Sequence, residues 1–144
     1  MLGREEIAAR IPHAGRMCLL DRVLRWDERH IQCSAESHRD ADNPLRESGG
    51  LPVWVGIEYA AQAAAVHGAL LLGSGPRAAV LGKVQHVRPA CEWLDRIAAP
   101  LVFDATLLHR DPSGGIYAFE AHGEGELLLE GRLTLMFSGA APAR

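Results

Sequence analysis

The longest apolar stretch of the chain runs from Leu51 to Leu72, and Glu58, Gln62 and His67 are its only strongly polar side chains. Apolar positions cover nearly the whole circumference of a helix drawn over Val53 to Leu72, and a helix without a polar face belongs in a core. Gly73-Ser74-Gly75-Pro76 supplies the stop, with glycine just past the end and proline beyond it. The stretch approaches the roughly 20 apolar residues needed to cross a bilayer. A lone span that carries polar groups and lacks a basic flank makes a poor anchor, so a core helix and no membrane association are expected.

On either side the periodicity changes. Arg4 to Arg10 fits a short helix closed by Ile11-Pro12, because the residue before proline leaves helical space. Met17 to Trp26 and His30 to Ser37 read as paired strands joined at Asp27-Glu28-Arg29. His38 to Gly50 is polar and marked as loop by Asp42-Asn43-Pro44 and Ser48-Gly49-Gly50. Beyond the helix, Ala78 to Val87, Ile97 to Leu108, Ile116 to Glu124 and Glu126 to Phe137 read as strands, with a hairpin turn at Asp111 to Gly115. In the last of them Leu133, Leu135 and Phe137 alternate with Arg132, Thr134 and Met136, the two-residue period of a sheet with unlike faces. Gly139 to Arg144 reads as a frayed tail.

Two strands, one long buried helix and four strands predict an α+β fold in which a curved sheet of about six strands wraps one central helix. A single sheet of this kind leaves an edge strand unpaired, and such an edge invites dimerisation.

Composition narrows the picture without redirecting it. The chain has 144 residues, 48% hydrophobic and 23% charged, which suits one domain over residues 1–144. The net charge of −3 argues against wholesale nucleic-acid binding. Lys83 is the only lysine and arginine supplies the other basic residues, most simply a coding bias. Cys18, Cys33 and Cys91 are odd in number and widely spaced, which argues against a disulfide framework or a zinc site and fits free thiols in a cytoplasmic protein. The first residues lack the apolar stretch of a signal peptide.

Glu58 is the candidate site residue. A carboxylate in an oily helix must be paired, hydrogen-bonded or protonated, and burial that raises its pKa would suit a general acid. Gln62, four residues on, shares its helix face and is expected to position Glu58 or a water, or to serve as a buried hydrogen-bonding partner. His67, nine residues on, is out of phase and expected to face elsewhere.

Three segments resemble a known family. Ile11-Pro12-His13-Ala14-Gly15-Arg16-Met17-Cys18-Leu19-Leu20-Asp21-Arg22-Val23 is similar to the LPHR-x-P-F-L-L-V-D-R-V opening of FabZ-type 3-hydroxyacyl-ACP dehydratases. Leu51-Pro52-Val53-Trp54-Val55-Gly56-Ile57-Glu58-Tyr59-Ala60-Ala61-Gln62-Ala63 resembles their F-P-G-V-L-I-L-E-A-M-A-Q-A helix, and Val80 to Pro89 resembles the strand that follows. The GGLPVW-x-x-IE-x-x-AQ form is most similar to the ApeP-like dehydratases of aryl polyene pathways.

The resemblance implies a hotdog fold that pairs into a homodimer or a higher assembly, with a hetero-oligomer containing another hotdog dehydratase as an alternative. It implies loss of water from a 3-hydroxyacyl chain on an acyl carrier protein, giving a trans-2-enoyl thioester in fatty acid, aryl polyene or polyketide synthesis. That chemistry needs no cofactor. Hotdog thioesterases and non-catalytic acyl-ACP-binding subunits are the rival classes.

By the same resemblance Glu58 protonates or orients the leaving hydroxyl. Val53 stands where the family has the glycine whose N–H holds the thioester oxygen, with Gly56 one turn later to relieve crowding or to let the sheet pack close. Trp54 and Tyr59 are candidates for the acyl tunnel wall, with core packing as the default for both. The family's catalytic histidine, in a P-G-H-F-P loop fourteen residues before the glutamate, has no counterpart, since the count reaches Pro44. His13 is the leading candidate for the base, with His38, His86 or no histidine as the alternatives. Arg46, Arg88 and Arg96 are candidates for a basic patch facing the acidic carrier protein.

Overall fold

The structure is a computed structural model and describes residues 1–11, 17–73 and 79–137. Ser74-Gly75-Pro76 of the expected helix stop and the expected tail from Gly139 lie outside the described residues. A short helix α1 (Arg4–Ala8) precedes strands β1 (Arg22–Trp26) and β2 (His30–Ala35). The long helix α2 (Gly56–Leu72) follows, and then β3 (Ala79–Pro89), β4 (Leu101–Asp111), β5 (Gly114–Gly123) and β6 (Glu126–Phe137). The six strands form one antiparallel sheet in the order β1-β2-β4-β5-β6-β3. This is the α+β hotdog arrangement, one sheet curved around one helix.

Local chemistry explains the turns. Pro112-Ser113 joins β4 to β5, and the Asp111 carboxylate accepts from both the Ser113 amide (2.8 Å) and its hydroxyl (2.6 Å). Glu124 and Gly125 link β5 to β6 at φ of 56° and 79°, the positive values that a two-residue hairpin requires. Gly73 ends α2 at φ 67°, as its place after the last apolar turn predicts. The first turn of the expected helix is instead a separate 3-10 turn, Val53–Val55. Strand bounds also move. Met17 to Asp21 is irregular, and β4 starts at Leu101 because the Ile97 amide is taken by the Leu94 carbonyl.

The concave face of the sheet packs on α2. Tyr59 stacks on Phe103 with ring centroids 5.0 Å apart, and Phe119, Leu129 and Leu133 complete the contact from β5 and β6. Burying each such side chain contributes about 1.5–3 kcal/mol. Gly56 makes the close approach possible, since a Cβ there would lie 2.8 Å from Leu129 Cδ2. In β6 the predicted alternation holds, with Leu133 and Leu135 buried and Met136 half exposed.

A polar network ties the loop after β2 to the helix. The Tyr59 hydroxyl lies 2.8 Å from Ser37 Oγ and accepts from Asn43 Nδ2 at 3.1 Å. Ser37 Oγ also donates to the Leu19 carbonyl (2.7 Å), and Asn43 Nδ2 donates to the Ser37 carbonyl (2.8 Å). The sequence count that finds no histidine at Pro44 thus lands in a loop held to α2 by the neighbouring asparagine.

Two sheet edges differ. At β1, Leu2 exchanges backbone hydrogen bonds with Val23. At β3 no further strand pairs among the described residues, and the edge carries two irregularities of register and a strained His86 at φ 55°. Such bulges twist an edge strand.

Two predictions follow from the core. Tyr59→Phe removes a hydroxyl with two buried partners and is expected to cost about 1–2 kcal/mol, read as a lower denaturant midpoint at unchanged slope. The second concerns His38 and His67, both fully buried. His67 Nε2 donates to the Asp27 carbonyl (2.8 Å), and its Nδ1 accepts from the Tyr117 hydroxyl (2.7 Å). His38 Nε2 donates to the Ile97 carbonyl (3.0 Å), and its Nδ1 has no partner among the described residues. Burial lowers the pKa of both, outweighing the nearby Asp27 carboxylate for His67 and Glu36 for His38. The unfolded chain therefore takes up protons first as pH falls through about 6.5. Stability is full above that value and declines below it, by up to about 1.4 kcal/mol per pH unit for each histidine. Unfolding midpoints measured from neutral to mildly acid pH should show this slope, and His67→Gln should flatten it.

Candidate functional site

The face of α2 that the sheet leaves uncovered carries Glu58. Trp54, Glu58, Ala61, Ala65 and Leu72 follow one another at three, four or seven residues, which places them along one stripe. Trp54 is 52% and Leu72 37% exposed, and Glu58 is exposed as well. This corrects the expectation from the sequence. The helix is buried on most sides, but the burial invoked to make Glu58 an acid is absent within one protomer. Val53–Leu72 is apolar and long enough to cross a membrane, yet 61% of it is buried inside the fold, as befits a core helix.

Beside Glu58 lies a cavity of about 90 Å³. Its helix wall is Glu58, Ala61, Gln62 and Ala65, and its sheet wall is Ala79 and Leu81 of β3 with Leu135 of β6. A carboxylate stands at one end and the remaining lining is almost wholly apolar. The alanines were not singled out by the sequence, although small residues three and seven positions after Glu58 were the available signal.

Gln62 lines the cavity and is 4% exposed, but its amide is already engaged. Oε1 accepts from the Leu19 amide at 2.9 Å, and Nε2 donates to the Met17 carbonyl at 2.6 Å. It therefore pins the segment before β1 to α2, as the buried-partner alternative has it, with one N–H and one lone pair of its amide left over. On its other side the same segment is held by Arg4, which donates to the Cys18 carbonyl (2.6 Å) and pairs with Asp21 (3.0 Å).

The start of the helix is fixed by the loop before β4. The Val53 amide donates to the Glu92 carbonyl (2.9 Å), the Leu94 amide to the Leu51 carbonyl (2.8 Å), and the Leu51 amide to Asp95 Oδ1 (3.0 Å). Burial pushes the Asp95 carboxyl up, but the amides of Leu51 and Asp95 and the charges of Arg46 and Arg96 outweigh it and hold it below the usual range. Val53 is thereby removed as the donor to a thioester oxygen. The Trp54 amide, in the same first turn, has no intrahelical acceptor. Gly56 is buried against Leu129, Leu94 and Phe103, so its role is close packing on the sheet rather than contact with a ligand. Tyr59 likewise belongs to the core.

His13 lies outside the described residues. Neither His38 nor His86 lines the Glu58 cavity. His38 is enclosed behind Ile97. His86 borders a separate groove on the sheet with Arg88, Glu120, Glu130 and Arg132. The three arginines expected to form a basic patch have partners within the chain. Arg46 pairs with Asp95 (3.2 Å), Arg88 with Glu130 (3.3 Å), and Arg96 lies over the Trp93 ring and donates to the Gly49 carbonyl.

Known proteins were compared with this arrangement. No curated protein sequence matches the chain. Among solved structures, the dehydratase heterocomplex ApeI:P from Xenorhabdus doucetiae matches with a TM-score of 0.81 and 26% identity, over 92% of this chain and 91% of that one. AziG from S. sahachiroi matches with a TM-score of 0.62 at 18% identity, covering 82% and 90%. A thioesterase from Haemophilus influenzae also matches at 0.62, with 16% identity over 87% and 82%. The latter two share the fold. The family described as ApeP-like, ApeP dehydratase, matches residues 5–141. A match over nearly the full length, carried on the hotdog fold already described, makes this chain a member of the ApeP-like dehydratase family.

Proposed function

We propose that the protein takes part in removing water from 3-hydroxyacyl thioesters carried on an acyl carrier protein, giving trans-2-enoyl thioesters. The observation that carries this reading is the place of Glu58 at the mouth of an apolar cavity on the central helix of a dehydratase-family fold. In the proposed step a base removes the C2 proton and the electron pair moves toward the thioester carbonyl. The C3–O bond then breaks as Glu58 delivers a proton to the departing hydroxyl. The Trp54 amide holds the negative charge that builds on the thioester oxygen. His13 is the proposed base. It lies two residues after the buried Ile11 and four before Met17, whose carbonyl Gln62 holds.

The exposure of Glu58 and Trp54, together with the unpaired β3 edge, supports an assembly in which a second hotdog chain covers this face. A second copy of this chain is one candidate, and another dehydratase is the other, because the similar Xenorhabdus structure is a heterocomplex. Covering the stripe would desolvate Glu58 and supply the burial that an acid at neutral pH requires. A soluble protein in the cytoplasm, where acyl carrier proteins are found, fits this role.

Purified protein incubated with 3-hydroxyacyl-ACP should yield the enoyl product by mass spectrometry. Glu58→Gln keeps the shape of the side chain but removes the proton, and is expected to lower turnover by about 10²-fold or more while the fold persists. Full activity in that variant would remove Glu58 from the mechanism, and an unchanged rate in His13→Ala would remove the base. Free acid released from a saturated acyl-ACP would favour hydrolysis instead. Substrate binding without turnover, restored by an added second dehydratase, would favour a partner subunit.

A further inference from the structure

The turn that leads into α2 is gripped by the loop before β4. Glu47 and Gly50 exchange backbone hydrogen bonds (2.8 and 3.0 Å), which closes a tight turn. Its two glycines leave no room for side chains. A Cβ at Gly49 would stand 2.6 Å from the Trp93 ring, and one at Gly50, where φ is 130°, would stand 2.7 Å from both Asp95 carboxylate oxygens. Arg96 lies over the same Trp93 ring, 4.9 Å from its centroid, and donates to the Gly49 carbonyl (3.0 Å).

Asp95 is the centre of this clasp, and only 14% of its side chain is exposed. Oδ1 accepts from the Leu51 amide (3.0 Å) and Oδ2 from Arg46 Nη1 (3.2 Å). Arg46 in turn donates through Nε to the Asp40 carbonyl (3.2 Å). One carboxylate therefore joins the loop after β2, the residues entering α2 and the loop before β4. Past Leu51 the chain forms an antiparallel bridge between Pro52 and Trp93. Proline has no amide, and those of Leu51 and Val53 are taken by Asp95 and the Glu92 carbonyl. Trp54 carries the first amide that the clasp leaves over.

We infer that Asp95 is a positioning residue for the reaction: by holding Leu51 and Arg46 at once, it fixes where the Trp54 amide meets the thioester oxygen. The reaction itself rests on the dehydration proposed above, while the clasp rests on Asp95, Arg46 and the two glycines. Such a donor works only at hydrogen-bond distance from the oxygen that becomes negative, and a displacement of about 1 Å can cost on the order of 10²-fold in rate. An asparagine at this position would keep an acceptor for Leu51 but turn its own N–H groups toward the Arg46 guanidinium, which has only donors.

Wild type, Asp95→Asn and Arg46→Ala are compared by turnover of 3-hydroxyacyl-ACP and by the amide resonance of Trp54, below the unfolding temperature of each. His67→Gln, near the opposite end of α2, is the control for a loss of stability alone. Asp95→Asn should lower kcat by about tenfold or more with KM within about twofold, the mark of a contact made in the transition state, and should move the Trp54 resonance. Arg46→Ala keeps the Asp95–Leu51 bond and should do the same more weakly, whereas His67→Gln should do neither.

An unchanged kcat in Asp95→Asn, or a rise in KM alone with Trp54 unmoved, would overturn the positioning role and leave the dehydratase reading standing. A fall in kcat that His67→Gln reproduces would also overturn it. A wild type that never dehydrates would overturn the dehydratase reading, and the Trp54 resonance would then decide the clasp alone, an unmoved resonance in Asp95→Asn overturning that too. If Asp95→Asn does not fold, Arg46→Ala decides by the same criteria.

Discussion

A helix that is apolar on nearly every side must be covered on nearly every side, and a single six-stranded sheet cannot do this. That mismatch governs the rest of the molecule. The sheet curves as far as it can around α2, with Gly56 admitting Leu129 and Tyr59 stacking on Phe103. It stops with β3 as an open edge. What remains exposed is Trp54 in the turn before the helix, Glu58 and Leu72, with Ala61 and Ala65 between them lining the cavity against β3 and β6. Because burial drives the fold through contact area, an exposed Trp54 and Leu72 beside an alanine-lined cavity are surfaces suited to a ligand or another chain.

The elements around the stripe hold it still. Gln62 fastens the segment before β1, the Tyr59 network fastens the loop after β2, and the loop at Glu92 to Asp95 fastens the first turn of the helix. The first and third use hydrogen bonds to backbone groups, and the Tyr59 hydroxyl bonds the side chains of Ser37 and Asn43, which are themselves bonded to the Leu19 and Ser37 carbonyls. The result is a carboxylate, a first-turn amide and an apolar cavity set in fixed relation. Hydrolysis and dehydration both call for such a set, and the two chemistries recur on this fold.

Much of the architecture was legible in the chain. The order of elements followed from the two periodicities, the end of α2 from Gly73, and the last strand from its alternation of leucines with Arg132, Thr134 and Met136. Membership in the dehydratase family was legible in the helix motif around Glu58. What the sequence could not show was direction. Periodicity alone placed Glu58 in a core, because an all-apolar helix does not declare which side the sheet leaves bare. The family resemblance assigned the oxyanion contact to Val53, because a carbonyl thirty-nine residues away, that of Glu92, takes that amide only once the fold exists. It offered Gln62 as a partner for Glu58 and did not reveal that the same amide holds Met17 and Leu19. The cavity lining was also hidden, since alanine carries no chemical signature and Ala79, Leu81 and Leu135 reach the helix only through strand pairing.

The central claim is that the uncovered stripe of α2 is the working face, and the most direct test is where a substrate-like chain lands. The assigned NMR spectrum of the protein can be followed while a stable amide analogue of an acyl-pantetheine thioester is titrated in. The account predicts shifts concentrated at the Trp54 amide and at the methyl groups of Ala61, Ala65 and Ala79, and little change at Ala118 and Arg132 on the other groove. Shifts confined to that groove, with Ala61 and Ala65 unmoved at saturation, would contradict it.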